Sequence, residues 1–118
     1  MPRKNSLTHA EFLRAERAKF RRERGSLFIL SFGVLAGQKP RECKTACVVS
    51  KKTAARAVDR NVIKRRWRDA MRHCLPSAPA PSALVFYAMR PARNASYADI
   101  KNDVDMLIAR AGAKLRTS

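Results

Sequence analysis

"RAVDRNVIKRRWRDAMRH", residues 56–73, separates into two faces when it is placed on a helix of about 100° per residue. One face is basic, because cationic residues recur at four-residue steps: Arg56, Arg60, Lys64, Arg68 and Arg72. The opposite face is apolar and carries Ile63, Trp67, Ala70 and, just beyond the stretch, Cys74. A disordered basic tail lacks the large apolar residues that offset the entropy of ordering. The stretch therefore predicts a helix with one buried side and one cationic side.

The cationic side has two interpretations, an ordinary solvated helix face or a surface that binds a polyanion. Asp59 and Asp69 are the acidic residues within the stretch, and they leave most of its positive charge unbalanced. Asn61 and Arg65 lie beside the basic row and extend its polar surface. The imbalance favours a polyanion-binding face.

The whole chain is also strongly basic. It has 118 residues, which suits one domain (1–118), and a formal net charge of +17, which points to nucleic acid first and an anionic membrane surface second. No run of eighteen apolar residues exists, so no bilayer span is expected. The first twenty residues lack an apolar core of the kind found in secretory signals. We therefore expect a cytoplasmic protein.

Cysteine usage agrees with that compartment. Cys43, Cys47 and Cys74 are odd in number and share no C-x-x-C spacing, which argues against a disulfide framework. A zinc site that adds His73 can be written down, but its spacings are not those of known zinc ligands. We expect no metal site in the protein and thiols that are buried or partly buried.

Several elements flank the central helix. Residues 8–25 open with Thr8 and Glu11 at capping-box spacing and close at Gly25, so they predict a first helix. Residues 26–35 and 45–50 are apolar strand candidates that we expect to pair as a hairpin.

The chain beyond the central helix predicts a connector, a strand and a last helix. Residues 76–82 contain three prolines and predict a connector, and residues 83–90 predict another strand. Ser96 and Asp99 repeat the capping-box spacing and open a helix that we expect to end at Gly112. Its apolar stripe is Ile100, Val104, Leu107, Ile108 and Ala111. The order α-β-β-(β)-α-β-α predicts a small α/β sandwich, with helices covering one face of a sheet of three or four strands.

Residues 48–72, "VVSKKTAARAVDRNVIKRRWRDAMR", resemble the signature of the protein component of bacterial ribonuclease P. The shared pattern is a strand, Ser-Lys-Lys, a short linker, and R-N-x-x-K-R-x-x-R opening a helix. Chain length, element order and charge also agree, so the resemblance covers nearly the whole chain. It implies a ribosomal protein S5 domain 2-like fold with a left-handed βαβ crossover, whereas physical rules alone favour a right-handed one.

The resemblance also implies a function. In that family an RNA with bound magnesium ions is the catalyst, and the protein subunit assists removal of the 5′ leader from precursor tRNA. The implied enzyme is an endoribonuclease that works as a ribonucleoprotein, and the protein alone is not catalytic. The implied partners are ribonuclease P RNA and precursor tRNA, with no membrane and no small-molecule substrate.

Two sets of site residues follow from the resemblance and from the chemistry of phosphates and bases. Arginine offers a planar donor fork to phosphate, and aromatic rings stack on single-stranded bases. The set expected to bind the catalytic RNA is Lys51, Lys52, Arg56, Arg60, Asn61, Lys64, Arg65, Arg68 and Arg72. The set expected to bind the leader is Phe12, Phe28, Phe32, Phe86 and Arg90, with Tyr87 as a further aromatic candidate. Any one of these aromatic residues could instead belong to the core, since a small sheet needs aromatic residues on its covered side, and Phe12 is the strongest candidate because it matches a family position. Glu16 departs from the family, which commonly has a second aromatic residue there.

Two other functions compete with this one. A structural RNA-binding protein of the ribosomal type would share the charge and size, but not the full Ser-Lys-Lys and arginine register. A self-sufficient metallonuclease would need convergent carboxylates, for which Asp99, Asp103 and Asp105 are the candidates. On a helix Asp105 points away from the other two, so we expect no catalytic residues in the protein.

Overall fold

The basic helix predicted at residues 56–73 lies within a β-α-β unit of the computed structural model, which describes residues 5–116. Two short 3₁₀ turns, Leu75–Ser77 and Arg90–Asn94, flank the last strand. The helices and strands, in chain order, are α1 (His9–Arg17), β1 (Arg21–Arg24), β2 (Phe28–Gly33), β3 (Cys43–Val48), α2 (Ala57–Cys74), β4 (Ser82–Ala88) and α3 (Tyr97–Arg116). The predicted element order is confirmed, with β1 as the additional strand.

The sheet order is β1-β2-β4-β3. β4 pairs antiparallel with β2 and parallel with β3, and α2 is the crossover that a parallel pair requires. The predicted hairpin between residues 26–35 and 45–50 is therefore wrong, because β4 lies between the two strands. β4 suits the centre of the sheet because it is apolar at successive positions and can be covered on both faces. The handedness of the crossover stays a prediction.

The first helix is shorter than predicted. The capping box of Thr8 and Glu11 is confirmed, but α1 ends at Arg17 and the following residues enter β1 instead of continuing to Gly25. Contacts far apart in sequence hold this charged strand in place. Arg21 Nη1 donates to the Lys114 carbonyl at 3.1 Å, and Glu23 forms an ion pair with Lys114 at 2.5 Å.

Helices cover both faces of the sheet, rather than one as predicted. α2 and α3 pack on one face, and the predicted stripes of both helices are buried there. α1 packs on the other face, where Ala15 contacts a smaller cluster that includes Ala83 and Val85. The alternation of side chains along β4 supplies both clusters, because successive residues of a strand point to opposite faces.

The start of α3 agrees with its predicted cap, but its end does not. Ser96 Oγ accepts a hydrogen bond from the Asp99 backbone N–H at 3.1 Å. The helix runs through Gly112 to Arg116, so the predicted end at Gly112 is wrong. Gly112 is buried, and packing of this turn outweighs the cost of about 1 kcal/mol that glycine carries within a helix.

Asp103 joins α3 to the beginning of β2. Its buried carboxylate accepts hydrogen bonds from the backbone N–H groups of Ser26, Leu27 and Phe28 at 2.8, 3.0 and 3.0 Å. Gly25 permits this approach, since a Cβ atom there would lie 2.5 Å from an Asp103 carboxylate oxygen. A carboxylate suits these three donors because its two oxygens provide several acceptor positions.

We expect Asp103→Asn to lower the free energy of unfolding by about 1.5–3 kcal/mol, because an amide NH₂ group would face backbone donors. Urea unfolding followed by circular dichroism measures the change. Asp99→Asn, an exposed position one turn earlier on the same helix, is the matched control and should change the free energy by less than about 0.5 kcal/mol. Equal stability of the two variants would contradict a structural role for Asp103.

Candidate nucleic-acid interface

The basic face of α2 contains a row of unpaired polar side chains. Asn61, Lys64, Arg65 and Arg68 line a shallow depression with Val58 and Val62. Their spacing of three and four residues places them on one side of the helix. Within residues 5–116 none of these four side chains forms a hydrogen bond or an ion pair, so their N–H donors are available to an outside partner.

Two other predicted cations on this helix are held in exposed ion pairs. Arg56, the residue that precedes α2, binds Asp59 with Nε to Oδ2 at 3.0 Å. Arg72 binds Asp69 with Nη2 to Oδ1 at 2.9 Å. Exposed pairs of this kind contribute about 0–1 kcal/mol, so a phosphate can compete for either arginine.

Arg60 makes contacts of a different kind. Its Nη1 donates to the carbonyl oxygens of Ala54 and Ala55 at 3.0 and 2.7 Å. The side chain is half-buried and turned back onto the segment that precedes α2. Arg66, which was not predicted as a site residue, acts similarly and donates to the Ala95 carbonyl at 2.7 Å.

The loop between β3 and α2 is fixed at both ends. Thr53 Oγ1 donates to the Ala88 carbonyl at the end of β4 at 3.0 Å, and Arg60 holds the carbonyls that follow. Lys51 and Lys52 are exposed in this loop, and within residues 5–116 neither side chain forms a hydrogen bond or an ion pair. These hydrogen bonds fix the backbone of the loop, so the ammonium groups of Lys51 and Lys52 lie beside the carboxyl end of β3.

Three of the predicted leader-binding aromatics are core residues instead. Phe28, Phe32 and Phe86 have 0, 1 and 0% of their surface exposed. The strand register turns them toward α2 and α3, where Phe86 lies 5.6 Å from the Trp67 ring and 6.1 Å from the Phe28 ring. They have no free face for a base, so their assignment to the leader surface is wrong.

Phe12 and Tyr87 lie on the opposite face of the sheet. Both are half-buried and pack against the smaller cluster beneath α1. Arg22 lies over the Tyr87 ring, with Cζ 5.6 Å from the ring centre. Arg24 is on the same face, because its register partner Ile29 is also the partner of Tyr87. We call the surface formed by Phe12, Glu16, Arg22, Arg24 and Tyr87 the outer groove.

Sequence reasoning missed the two arginines of the outer groove. β1 consists of four charged residues, so it lacks the alternation of apolar and polar residues that indicates a strand. Tyr87 carried a clearer signal, since it follows Ala83 and Val85 at two-residue steps and therefore points away from Phe86.

Glu16 is bound to Tyr87. The Tyr87 hydroxyl donates to Glu16 Oε2 at 2.6 Å. Burial raises the pKa of the Tyr87 hydroxyl to about 12, and the hydrogen bond to Glu16 adds to the rise. The hydroxyl is therefore a proton donor at neutral pH.

Arg90 is exposed in the 3₁₀ turn that follows β4. Because β3 and β4 are parallel, their carboxyl ends lie at the same end of the sheet. The turn of Arg90 and the loop of Lys51 and Lys52 both begin there. The position connects the outer groove, which contains Tyr87, with the basic loop that precedes α2.

The three carboxylates considered for metal chemistry do not converge. Asp103 is occupied by backbone donors, and Asp105 accepts from Cys74 Sγ at 2.7 Å and pairs with Lys101 at 3.2 Å. No three His, Cys, Asp or Glu side chains among residues 5–116 come close enough together to hold a metal ion. In the same range no helix has the length and apolar character needed to cross a bilayer.

Curated relatives are ribonuclease P protein components. The one from Xanthomonas campestris pv. campestris is 41% identical over 85 residues, which cover 72% of this chain and 55% of the relative. The one from Salinispora tropica is 40% identical over 78 residues, which cover 66% and 57%. The matched parts thus span little more than half the length of these relatives.

Solved structures agree on the fold. The RNase P protein of Staphylococcus aureus superposes with a TM-score of 0.73 at 23% identity, covering 88% of this chain and 91% of that one. The RNase P protein of Thermotoga maritima gives 0.74 at 17% identity, covering 89% and 96%. The family model described as Ribonuclease P matches residues 1–112. The chain belongs to the ribonuclease P protein family.

Proposed function

We propose that this chain is the protein subunit of a ribonuclease P ribonucleoprotein, which removes the 5′ leader of precursor tRNA. The observation that carries the proposal is the row of Lys64, Arg65 and Arg68 on α2, which is unpaired within residues 5–116 and matches the family signature. Lysine and arginine donors in a row suit the regularly spaced phosphates of an RNA backbone. In this proposal α2 and the Lys51–Lys52 loop bind the catalytic RNA.

The outer groove is the proposed site for the leader. It combines an aromatic side chain on α1, an aromatic side chain on β4 and two arginines on β1, which are the groups that bind single-stranded RNA without pairing. α2 and the outer groove lie on opposite faces of the sheet. The protein can therefore contact the catalytic RNA and the substrate at the same time.

The proposal assigns the chemistry to the RNA subunit and its magnesium ions. The geometry of Asp99, Asp103 and Asp105 supports this assignment, because two of the three carboxylates have structural partners and point in different directions. The protein then contributes affinity and positioning, which can raise the rate by holding the scissile bond near the catalytic ions.

We expect the protein to restore cleavage of precursor tRNA by a ribonuclease P RNA at low magnesium, where cations of the protein replace counterions. Gel separation of the leader and the mature tRNA measures the reaction. The protein without RNA should not cleave under any divalent metal. Cleavage by the protein without RNA, if Asp99→Ala abolishes it, would overturn the proposal in favour of a metallonuclease. A protein that binds ribosomal RNA but does not assist the ribonuclease P RNA would overturn it in favour of a ribosomal-type protein.

The contacts on α2 predict one effect for Arg65 and Arg68 and a different effect for Arg60. Arg65→Ala and Arg68→Ala should each weaken assembly with the RNA subunit and reduce the slope of log K against log salt by about 0.7–0.9. Arg60→Ala should act through the loop that it holds. Its effect should largely vanish in a Lys51→Ala, Lys52→Ala background, because the loop then presents no charge.

Filter binding across a series of salt concentrations measures these slopes. Arg110→Ala is the matched control, since Arg110 is an exposed arginine on α3 with an ion pair to Glu23 at 3.7 Å. Its slope should equal that of the unmodified protein. Unchanged slopes for Arg65→Ala and Arg68→Ala would show that the basic face of α2 is merely solvated.

Phe12→Ala should separate the two RNA surfaces. We expect it to weaken holoenzyme binding of precursor tRNA by about 1–3 kcal/mol through lost stacking, while binding of mature tRNA stays nearly unchanged. Arg65→Ala should weaken assembly whether or not the tRNA has a leader. Phe12 also packs on the cluster beneath α1, so the melting temperature must be measured in parallel. An equal loss for both tRNAs with a lowered melting temperature would assign Phe12 to the core.

A further inference from the structure

Glu16 places a carboxylate in an otherwise basic groove. It lies four residues after Phe12 on α1, so the two side chains share one side of the helix. Glu16 is exposed, and Oε2 is held by the Tyr87 hydroxyl at 2.6 Å. Arg22, over the other side of the groove, is 5.6 Å from the centre of the same tyrosine ring.

A carboxylate at this position is unsuited to the backbone of RNA. It accepts hydrogen bonds and donates none, and it repels the phosphates that Arg22 and Arg24 attract. The groups of a nucleotide that a carboxylate can bind are N–H donors on the edge of the base. Glu16 has capacity for them, because Tyr87 occupies one of about four acceptor positions on the carboxylate.

We propose that Glu16, oriented by Tyr87, selects a leader nucleotide whose base presents N–H donors, with guanine bound best. This inference rests on the proposed leader-binding function of the outer groove. Glu16 is the group that contacts the base, and Tyr87 is a positioning residue that fixes the carboxylate through its hydroxyl. Arg22 and Arg24 hold the flanking phosphates.

The donor pattern of the bases gives the order of preference. Guanine presents N1–H and N2–H side by side, which match the two oxygens of one carboxylate. Adenine and cytosine present one exocyclic amino group, which gives a single hydrogen bond. Uracil presents N3–H between two carbonyl oxygens, which the carboxylate repels. Inosine keeps N1–H and lacks the N2 amino group, so it isolates one contact of guanine.

The test uses the reconstituted holoenzyme and precursor tRNAs with five-nucleotide leaders of uridine. A single guanosine is placed at each leader position in turn, and inosine is then substituted at the same position. We expect one position at which guanosine binds about tenfold more tightly than inosine, as for the loss of one good base contact. Binding of mature tRNA is measured beside it.

Glu16→Gln is the decisive variant, because a glutamine oxygen can still accept from Tyr87 while its NH₂ group opposes the guanine amino group. It should bind the all-uridine leader more tightly, since a negative charge is removed from the groove, whereas the guanosine leader loses its selective contact and the ratio of guanosine to inosine should fall to about one. Tyr87→Phe keeps the ring and should reduce the ratio without abolishing leader binding. Melting temperatures of both variants check the fold.

Each outcome decides the inference. Equal binding of guanosine and inosine at all five positions would overturn it, as would a ratio that Glu16→Gln leaves intact. If the unmodified holoenzyme does not distinguish precursor from mature tRNA, the leader-binding function of the groove fails as well. A preference for leader-bearing tRNA without any base preference would leave the proposed function in place and remove only the role of Glu16.

Discussion

The pairing of β4 on both of its edges is the constraint on which the rest of the molecule depends. β4 hydrogen-bonds to β2 on one side and to β3 on the other, and its side chains enter both hydrophobic clusters. Because β3 and β4 are parallel, the chain between them must cross the sheet, and α2 is that crossing. α2 occupies one face with α3, so the short α1 is left to cover the other. Two separate polar surfaces result, one beside each layer of helices.

A second constraint on the fold is the attachment of α3 to the beginning of β2 by Asp103. Its hydrogen bonds hold the chain that enters β2, and β1 pairs with β2 in a register that turns Arg21 and Glu23 toward α3. The same register turns Arg22 and Arg24 toward Tyr87. The buried Asp103 carboxylate, a group that could bind a metal ion in an enzyme, accepts three backbone hydrogen bonds instead. The pairing of β1 with β2 thus connects the Asp103 contacts with the arginines of the outer groove on the other face of the sheet.

The sequence predicted periodic features well and pairings poorly. The stripes of α2 and α3 have large apolar residues at helical spacing, so their buried faces could be assigned residue by residue. The predicted hairpin was wrong because two strands that are neighbours in sequence need not pair. Here β4, which comes much later in the chain, lies between β2 and β3. Phe28, Phe32 and Phe86 were misassigned for a related reason, since alternate residues of a strand lie on opposite faces and the sequence does not show which face α2 and α3 cover. The basic row on α2 was located from spacing alone, but which arginines are unpaired depends on backbone carbonyls that spacing does not reveal.

The loop that carries Lys51 and Lys52 has a thermodynamic consequence. Thr53 and Arg60 fasten it to β4 and to α2 through hydrogen bonds within the protein. A segment that is ordered before it meets its partner loses little conformational entropy on binding, whereas a flexible basic segment must be ordered at that moment. If the loop binds RNA as proposed, association would therefore resemble the docking of two preformed surfaces, with a heat-capacity change set by the area in contact rather than by coupled folding. In the proposed function, Arg60 would in this way increase the affinity of Lys51 and Lys52 for phosphate, because it holds the backbone next to them.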